Sequence, residues 1–199
     1  ASDVYKRQTL NNVSYSYPGS TQTVLDGVCT VFPVGWTGII GNNGCGKSTL
    51  ARIATGMLAP DSGTVSPRGL VVAYCKQDAT IPPDRLEDFA CSWEQAAVRL
   101  RADLCIDDDW PWRYDTLSSG QQKRLQVAVA LWEEPDVLVM DEPTNHVDVL
   151  TRRAILRALA GYRGIGLLIS HDRELLDALV GQCLCFEGAR VVMRPGGYT

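Results

Sequence analysis

The sequence predicts an α/β fold whose core sheet is largely parallel. Short apolar runs of four to six residues, bounded by turn residues, predict buried strands at residues 37–40, 70–75, 137–140 and 166–170. Segments with helical spacing lie between and after these strands, and a glycine-rich loop joins the first strand to a helix that begins at Lys47. Because parallel strands need long crossover connections, this alternation favours a parallel sheet.

The other segments complete the predicted element order. Residues 9–19 and 23–35 have a β-rich composition and end at turn signals, so they predict two further strands. Residues 107–115 predict an irregular, acidic and aromatic link. Helices are predicted at residues 85–104, 119–134, 151–159 and 173–180, the second of which ends before Pro135.

The length of 199 residues is sufficient for one domain with a core of its own. Residues 1–8 (ASDVYKRQ) have no hydrophobic period and resemble the translation of a sequencing adapter, so we expect the folded domain to comprise residues 9–199. The chain stops directly after a turn signal, RPGGYT, which suggests a fragment of a longer protein.

Composition excludes several classes of protein. The net charge of −4 argues against a non-specific nucleic-acid binder. No apolar run approaches the roughly 20 residues needed to cross a bilayer, so we expect no membrane insertion. The seven cysteines are scattered and form no C-x-x-C pair, which favours reduced thiols and a cytoplasmic location.

A phosphate-binding loop is predicted at residues 41–49 (GNNGCGKST), which fit the pattern G-x-x-x-x-G-K-[ST] between a strand and a helix. Its glycines are expected to adopt positive φ angles that turn successive N–H groups inward, and the helix adds its positive dipole end. The candidate nucleotide contacts are Gly41, Asn42, Asn43, Gly44, Cys45, Gly46, Lys47, Ser48 and Thr49. Lys47 is expected to reach the β- and γ-phosphates of ATP, and Ser48 to ligate Mg²⁺.

The opposite wall of this site is predicted at Asp141 and Glu142. Four apolar residues bury the preceding strand, so that Asp141 emerges at its carboxyl end, where ligands bind in open α/β sheets. We expect Asp141 to hold the Mg²⁺ shell and Glu142 to polarise the attacking water. Together the two motifs predict a P-loop NTPase.

Residues 117–121 (LSSGQ) open a helix that leads to the strand ending at Asp141, and this order resembles the signature of ABC-type ATPases. The resemblance implies an N-terminal antiparallel β part and a small helical subdomain at about residues 80–134. It also implies that Ser118 and the N–H groups around Gly120 bind the γ-phosphate held by a second cassette. Ser119 stands where the family usually has glycine, which puts a full rate of hydrolysis in doubt.

Three further residues match the family pattern in order. The resemblance implies that Tyr17 stacks on adenine, with Tyr15 as the rival candidate. It implies that Gln77 contacts Mg²⁺ and the attacking water, and that His171 contacts the γ-phosphate.

The run DEPTNHVD (residues 141–148), together with SHDRELL, resembles the ABC-F subfamily. Members carry two cassettes in one chain and act on ribosomes as translation or antibiotic-resistance factors. The resemblance implies that Asp148 and His146 belong to a loop that couples two cassettes, and that the ribosome or its RNA is a partner.

Two other functions stay open. The chain could be the ATP-binding subunit of a membrane transporter, or a nucleotide-gated interaction module that does not hydrolyse ATP, to which Ser119 points. Arg152, Arg153 and Arg157 share one predicted helix and could contact nucleic acid, although a solvated helix face explains them as well.

Overall fold

Residues 6–197 are described by a computed structural model. The strands are β1 Arg7–Ser16, β2 Thr23–Pro33, β3 Gly35–Ile40, β4 Ser62–Ser66, β5 Val72–Cys75, β6 Val137–Asp141, β7 Ile165–Ile169, β8 Val180–Glu187 and β9 Arg190–Pro195. The helices are α1 Lys47–Ala54, α2 Leu86–Cys91, α3 Gln95–Asp103, α4 Ser119–Trp132, α5 Val149–Ala160 and α6 Arg173–Leu179, with a 3₁₀ helix at Trp110–Thr116.

The strands form two sheets. The larger has six strands in the order β5-β6-β7-β3-β8-β9, and all neighbours are parallel except β8 and β9. The smaller has three strands in the order β2-β1-β4, paired antiparallel. The predicted α/β class, with a mostly parallel core sheet and an N-terminal antiparallel part, is confirmed.

Strand β6 shows why the large sheet lies at the centre. Val137 and Val139 face a cluster shared with the small sheet and α1, whereas Leu138 and Met140 face the helices on the other side. All four side chains are fully buried. A strand buried on both faces needs a continuous apolar run, and each such side chain contributes about 1.5–3 kcal/mol by leaving water.

At the amino end, the fold begins earlier than the expected boundary. Strand β1 starts at Arg7, which pairs with Pro33 of β2. The buried Gln8 donates a hydrogen bond from Nε2 to the carbonyl of Ala54 at 2.7 Å. Within the expected adapter segment, residues 1–5 lie outside the described residues, as do residues 198–199.

The helical region between β5 and β6 differs in detail from the sequence expectation. The helix predicted at residues 85–104 is two helices, because Ser92 adopts an extended conformation with ψ 128° at the end of α2. The expected irregular link contributes to the core, since Trp110 and Tyr114 are buried and the Tyr114 hydroxyl donates to the carbonyl of Ala79. All these helices lie within the range expected for the helical subdomain.

Candidate active site

Parallel strands bring the predicted site residues to one edge of the sheet. The phosphate loop follows β3, Gln77 follows β5, Asp141 ends β6 and His171 follows β7. Because β5, β6, β7 and β3 are neighbours and run in the same direction, their carboxyl ends meet at this edge.

In the loop between β3 and α1, two of the three glycines have the positive φ angles that are expected of a phosphate cradle. Gly44 has φ 77° and Gly46 has φ 111°, so both occupy conformations that side chains disfavour. The expectation of a positive φ at Gly41 is wrong. Gly41 is instead required by space, because a Cβ there would stand 2.6 Å from Cys45 Sγ and 3.0 Å from Phe186 Cβ.

Lys47 begins α1 and is only 8% exposed. Its ammonium donates to the carbonyl oxygens of Gly41 at 2.7 Å and Asn42 at 3.0 Å. The cation therefore lies over its own loop, within the cradle, where its charge complements a phosphate.

The side chain next along the helix links the two walls of the site. Ser48 Oγ donates to Asp141 Oδ2 at 3.0 Å. The same carboxylate oxygen accepts the hydroxyl of Tyr74 at 3.2 Å. Burial, and next the charge of Asp141, raise the pKa of Tyr74 well above its usual range, so this phenol keeps its proton. Hydroxyl and carboxylate oxygens at this spacing suit a hard divalent cation such as Mg²⁺.

Glu142 adopts a positive φ of 48°, and its side chain is 16% exposed. Its Oε2 accepts the backbone N–H of His171 at 3.3 Å, and its Oε1 lies 3.5 Å from His171 Nε2. The same imidazole nitrogen is 3.2 Å from Asn43 Oδ1 in the loop. Burial raises the pKa of Glu142 above its ordinary value, and the N–H of His171 opposes this shift. The proton affinity of this carboxylate is therefore higher than that of a carboxylate in water.

One cavity of about 860 Å³ gathers these groups. Its wall includes Tyr17, Asn43, Gly44, Cys45, Gly46, Lys47, Ser48, Thr49, Gln77, Asp141, Glu142 and His171. The Tyr17 ring is 44% exposed and its hydroxyl lies 2.7 Å from Thr49 Oγ1, whereas Tyr15 is buried in the core. The geometry therefore favours Tyr17 over Tyr15 as the aromatic residue of this cavity.

Four predicted site residues do not line this cavity: Gly41 and Asn42, which begin the phosphate loop, and Ser118 and Gly120, at the start of α4. Ser118 caps α4: its Oγ accepts the N–H of Gln121 at 3.3 Å, and its own N–H donates to Gln121 Oε1 at 2.9 Å. Gly120 packs beside α5, where an added Cβ would lie 3.4 Å from Thr151 Oγ1. Neither residue lines the cavity that contains Lys47. The first N–H groups of a helix have no acceptor within the helix, so an exposed helix start of this kind is a general anion-binding feature.

The segment between Glu142 and α5 leads from the cavity to helix α5, beside which Gly120 packs. Asp148 caps α5 by accepting the N–H of Thr151 at 2.9 Å, and this bond, together with the bond from the Thr151 hydroxyl, lowers the pKa of Asp148. Arg152 on α5 is paired with Asp172, beside His171, and with Glu174. Arg152 is thus engaged within the fold, whereas Arg153 and Arg157 are exposed.

Sequence reasoning missed two polar residues of this region. Tyr74 was assigned only to a buried strand, and its contact with Asp141 depends on strand register. Lys123, 3% exposed, donates to the carbonyls of Lys76 and Gln77 and to Gln126 Oε1 at 2.8–2.9 Å. A lysine on the apolar side of a predicted helix is the one signal that could have identified it.

Comparison with known proteins identifies the family. Residues 28–145, more than half of the chain, match the family described as ABC transporter. The chain belongs to this family. It is an ABC-type ATPase cassette, as the signature at residues 117–121 predicted.

This ABC cassette has relatives of two kinds. It is 33% identical over 195 residues to the ribosome protection protein VmlR of Bacillus subtilis (strain 168), which covers 96% of this chain and 33% of that protein. It is 35% identical over 205 residues to the aliphatic sulfonates import ATP-binding protein SsuB of Burkholderia ambifaria, which covers 93% of this chain and 62% of that protein. The cassette thus spans a third of the first relative and under two thirds of the second.

A solved structure shares the fold of the cassette. The dimeric structure of a post-hydrolysis state of the ATP-binding cassette MJ0796, bound to ADP and Pi, aligns with a TM-score of 0.80 and 18% identity. The alignment covers 94% of this chain and 98% of the other. At this identity the likeness concerns the fold alone. Within residues 6–197, no helix is long and apolar enough to span a membrane.

Proposed function

We propose that the cassette binds and hydrolyses ATP with Mg²⁺, and that it does so when paired with a second cassette. The observation that carries this proposal is the shared cavity: the phosphate loop, Asp141, Glu142, Gln77 and His171 meet in about 860 Å³ at one sheet edge. P-loop enzymes hold a nucleoside triphosphate with this set of groups.

In this proposal, the loop N–H groups and Lys47 hold the β- and γ-phosphates. Ser48 and Asp141, already joined at 3.0 Å, and Gln77 in the same cavity would hold the cation. Bound Mg²⁺ supplies charge neutralisation at the phosphates. In residues 6–197 no group of three or more His, Cys, Asp and Glu side chains is placed to hold a metal without other ligands. Phosphate oxygens are the natural complement to so few protein ligands.

Glu142 is the proposed base. Its raised pKa and its place in the cavity suit it to take a proton from an attacking water. His171 donates its backbone N–H to this carboxylate and presents its imidazole to the same cavity, where it would contact the γ-phosphate. Tyr17, at the cavity rim, would stack on adenine.

A second cassette completes the site. Ser118 and Gly120 start a helix whose N–H groups lie away from the chain's own phosphate loop, so a partner nucleotide is the anion that they would meet. ATP would then hold two cassettes together, and hydrolysis would release them. Asp148 and His146 would belong to the loop that connects the two sites.

The full-length protein is proposed to be an ABC-F protein that acts on the ribosome, as a translation or antibiotic-resistance factor in the cytoplasm. The similarity to VmlR across 96% of the chain supports this, as does the run from Asp141 to Asp148. The similarity to SsuB supports a second candidate, the ATP-binding subunit of a membrane importer.

The test uses the full-length protein that contains this cassette. We expect Mg²⁺-dependent ATP turnover that falls about 10²–10⁴-fold in Glu142→Gln, while ATP binding persists. With ATP trapped, the variant should sediment with ribosomes, and the wild type in ADP should not. Turnover without ribosome association would favour the importer, and ATP binding without turnover would favour a nucleotide-gated interaction module.

A further inference from the structure

Asp141 carries an asymmetric set of hydrogen bonds. Its Oδ2 accepts both Ser48 Oγ at 3.0 Å and the Tyr74 hydroxyl at 3.2 Å. Within residues 6–197, no donor bonds the other oxygen, Oδ1. Two hydroxyl groups therefore fix one oxygen of a carboxylate that lines the cavity.

Strand register explains how Tyr74 reaches this carboxylate. In the parallel pair of β5 and β6, Tyr74 lies opposite Val139, two residues before Asp141. Side chains two apart on a strand share a face, so Val139 and Asp141 lie on the same face of β6. Tyr74 packs with Val139 on that face, and its ring spans the remaining distance along the strand to the carboxylate.

The two hydroxyl groups differ in what nucleotide binding would do to them. In the function proposed above, on which this inference rests, the Ser48 oxygen would also bind the cation through a lone pair, while its proton still bonds Asp141. Tyr74 lies on β5, and its hydroxyl, which also interacts with Ser48, bonds Asp141 from the neighbouring strand. The phenol would then be the donor to Oδ2 that has no ligand role of its own.

We propose that Tyr74 is a positioning residue for the divalent cation: its hydroxyl holds the Asp141 carboxylate in the orientation that serves the metal of the nucleotide complex. Hydrogen-bond partners of metal-associated carboxylates set ligand orientation, and their loss costs about 10–100-fold in metal affinity or activity. Tyr74 itself does not contact the nucleotide in this proposal and would not contribute to metal-free binding.

The experiment compares nucleotide affinity with and without metal. A fluorescent, non-hydrolysable ATP analogue is titrated into the chain in EDTA and again in saturating Mg²⁺. The dissociation constant in EDTA divided by that in Mg²⁺ is the ratio that measures the contribution of the metal. We expect Tyr74→Phe to leave the EDTA value within about twofold of wild type and to reduce the ratio by about tenfold.

Tyr162→Phe is the matched control. Tyr162 is also partly buried, and its hydroxyl donates at 2.8 Å to the carbonyl of Pro135, at the opposite end of β6. Removal of this hydroxyl alters the same strand without touching Asp141, so the ratio should stay at the wild-type value. An equal loss in Tyr162→Phe would mean that a loosened strand, and not the carboxylate, is responsible, and would overturn the proposal.

A double-mutant cycle tests whether Tyr74 acts through Asp141. In an Asp141→Ala background, which removes the acceptor of the Tyr74 hydroxyl, Tyr74→Phe should produce no further change in the ratio. A further tenfold loss there, or an unchanged ratio in Tyr74→Phe alone, refutes the positioning role while the proposed ATPase function stands. If the wild-type chain bound the analogue no better with Mg²⁺ than without, the proposed function and this inference would both fail.

Discussion

Glu142 shows how burial and charge oppose each other at a single residue. The side chain is 16% exposed, and burial is the main reason that its pKa is raised. The N–H of His171 and the charges of His171 and Lys47 act in the opposite direction but do not cancel it. A carboxylate in this state is a stronger base than one in water, at a cost in folding stability when it is ionised.

The Glu142→Gln variant is predicted to be more stable than the wild type above the raised pKa. A raised pKa in the folded state means that the stability contributed by Glu142 is fully present below the ordinary value of 4.5 and is lost as pH rises through the folded pKa. Glutamine carries no charge and avoids this loss. Thermal unfolding should therefore show a higher midpoint for the variant at pH 8, with the difference shrinking towards pH 4.

The opposite order of midpoints at pH 8 would contradict this prediction. It would mean that the N–H of His171, 3.3 Å from Oε2, stabilises the charged carboxylate by more than burial destabilises it. The rate of ATP hydrolysis provides the complementary check, since a general base must be ionised. Turnover should fall as pH decreases through the raised pKa of Glu142.

Prediction of individual residues from the sequence succeeded where chemistry and position coincide in a motif. Lys47, Asp141 and Glu142 were placed because a glycine pattern and a buried strand fix where their side chains emerge, and the structure brings them to one cavity. Tyr74 was missed because its contact with Asp141 requires the pairing of Tyr74 with Val139, which no local pattern encodes. The catalytic roles of Lys47, Asp141 and Glu142 stay predictions.

At the scale of elements, the sequence predicts strands and helices that have a clear pattern of apolar residues. It misses those whose conformation depends on pairing with a distant part of the chain. Strands β6 and β7 were predicted almost to the residue, because both are buried on each face. Strand β4 (SGTVS) has a mostly exposed, polar sequence and was missed. It exists because it pairs with β1, so its strand conformation depends on a partner distant in sequence.

Helix α4 is tied to the segment after β5 by one buried cation. Lys123 donates to the carbonyls of Lys76 and Gln77 and to Gln126 Oε1, and burial lowers its pKa. Gln77 belongs to the proposed cation site, whereas the start of α4 belongs to the surface proposed for a second cassette. Lys123 therefore links the segment that contains Gln77 to helix α4 within one chain.

Lys123→Met is predicted to raise the Mg²⁺ concentration needed for half-maximal ATP turnover by about tenfold. Unfolding free energy should change by less than about 1.5 kcal/mol, because relief from burying a cation offsets the lost hydrogen bonds. Arg124→Met is the control: it removes the neighbouring charge, which lies over Trp110 at 5.3 Å, and should leave the Mg²⁺ requirement unchanged. Equal Mg²⁺ requirements in wild type and Lys123→Met would disprove the connection.

At the scale of the whole molecule, the predicted fold class follows from the need to bury both faces of a parallel sheet. Parallel strands must be covered on both faces, so continuous apolar runs between helices leave few alternatives. The same topology places every strand-end residue of the site at one edge, which is why a linear sequence could predict a common site. What it could not predict is the split of the helical region, since that depends on Arg101, which donates to the carbonyls of Phe89 and Ser92 across the break.

The pairing of two cassettes is tested at Ser118, which caps α4 and faces away from its own cavity. Asn and Asp cap helices as well as Ser, so Ser118→Asn and Ser118→Asp should both keep the fold and bind ATP as single chains. They differ by one negative charge, which in a pair would face the γ-phosphate of the partner. We expect turnover at high chain concentration to fall about 10²-fold in Ser118→Asp and far less in Ser118→Asn. Equal turnover in the two variants, with pairing intact, would mean that no phosphate approaches this helix and that each cassette completes its site alone.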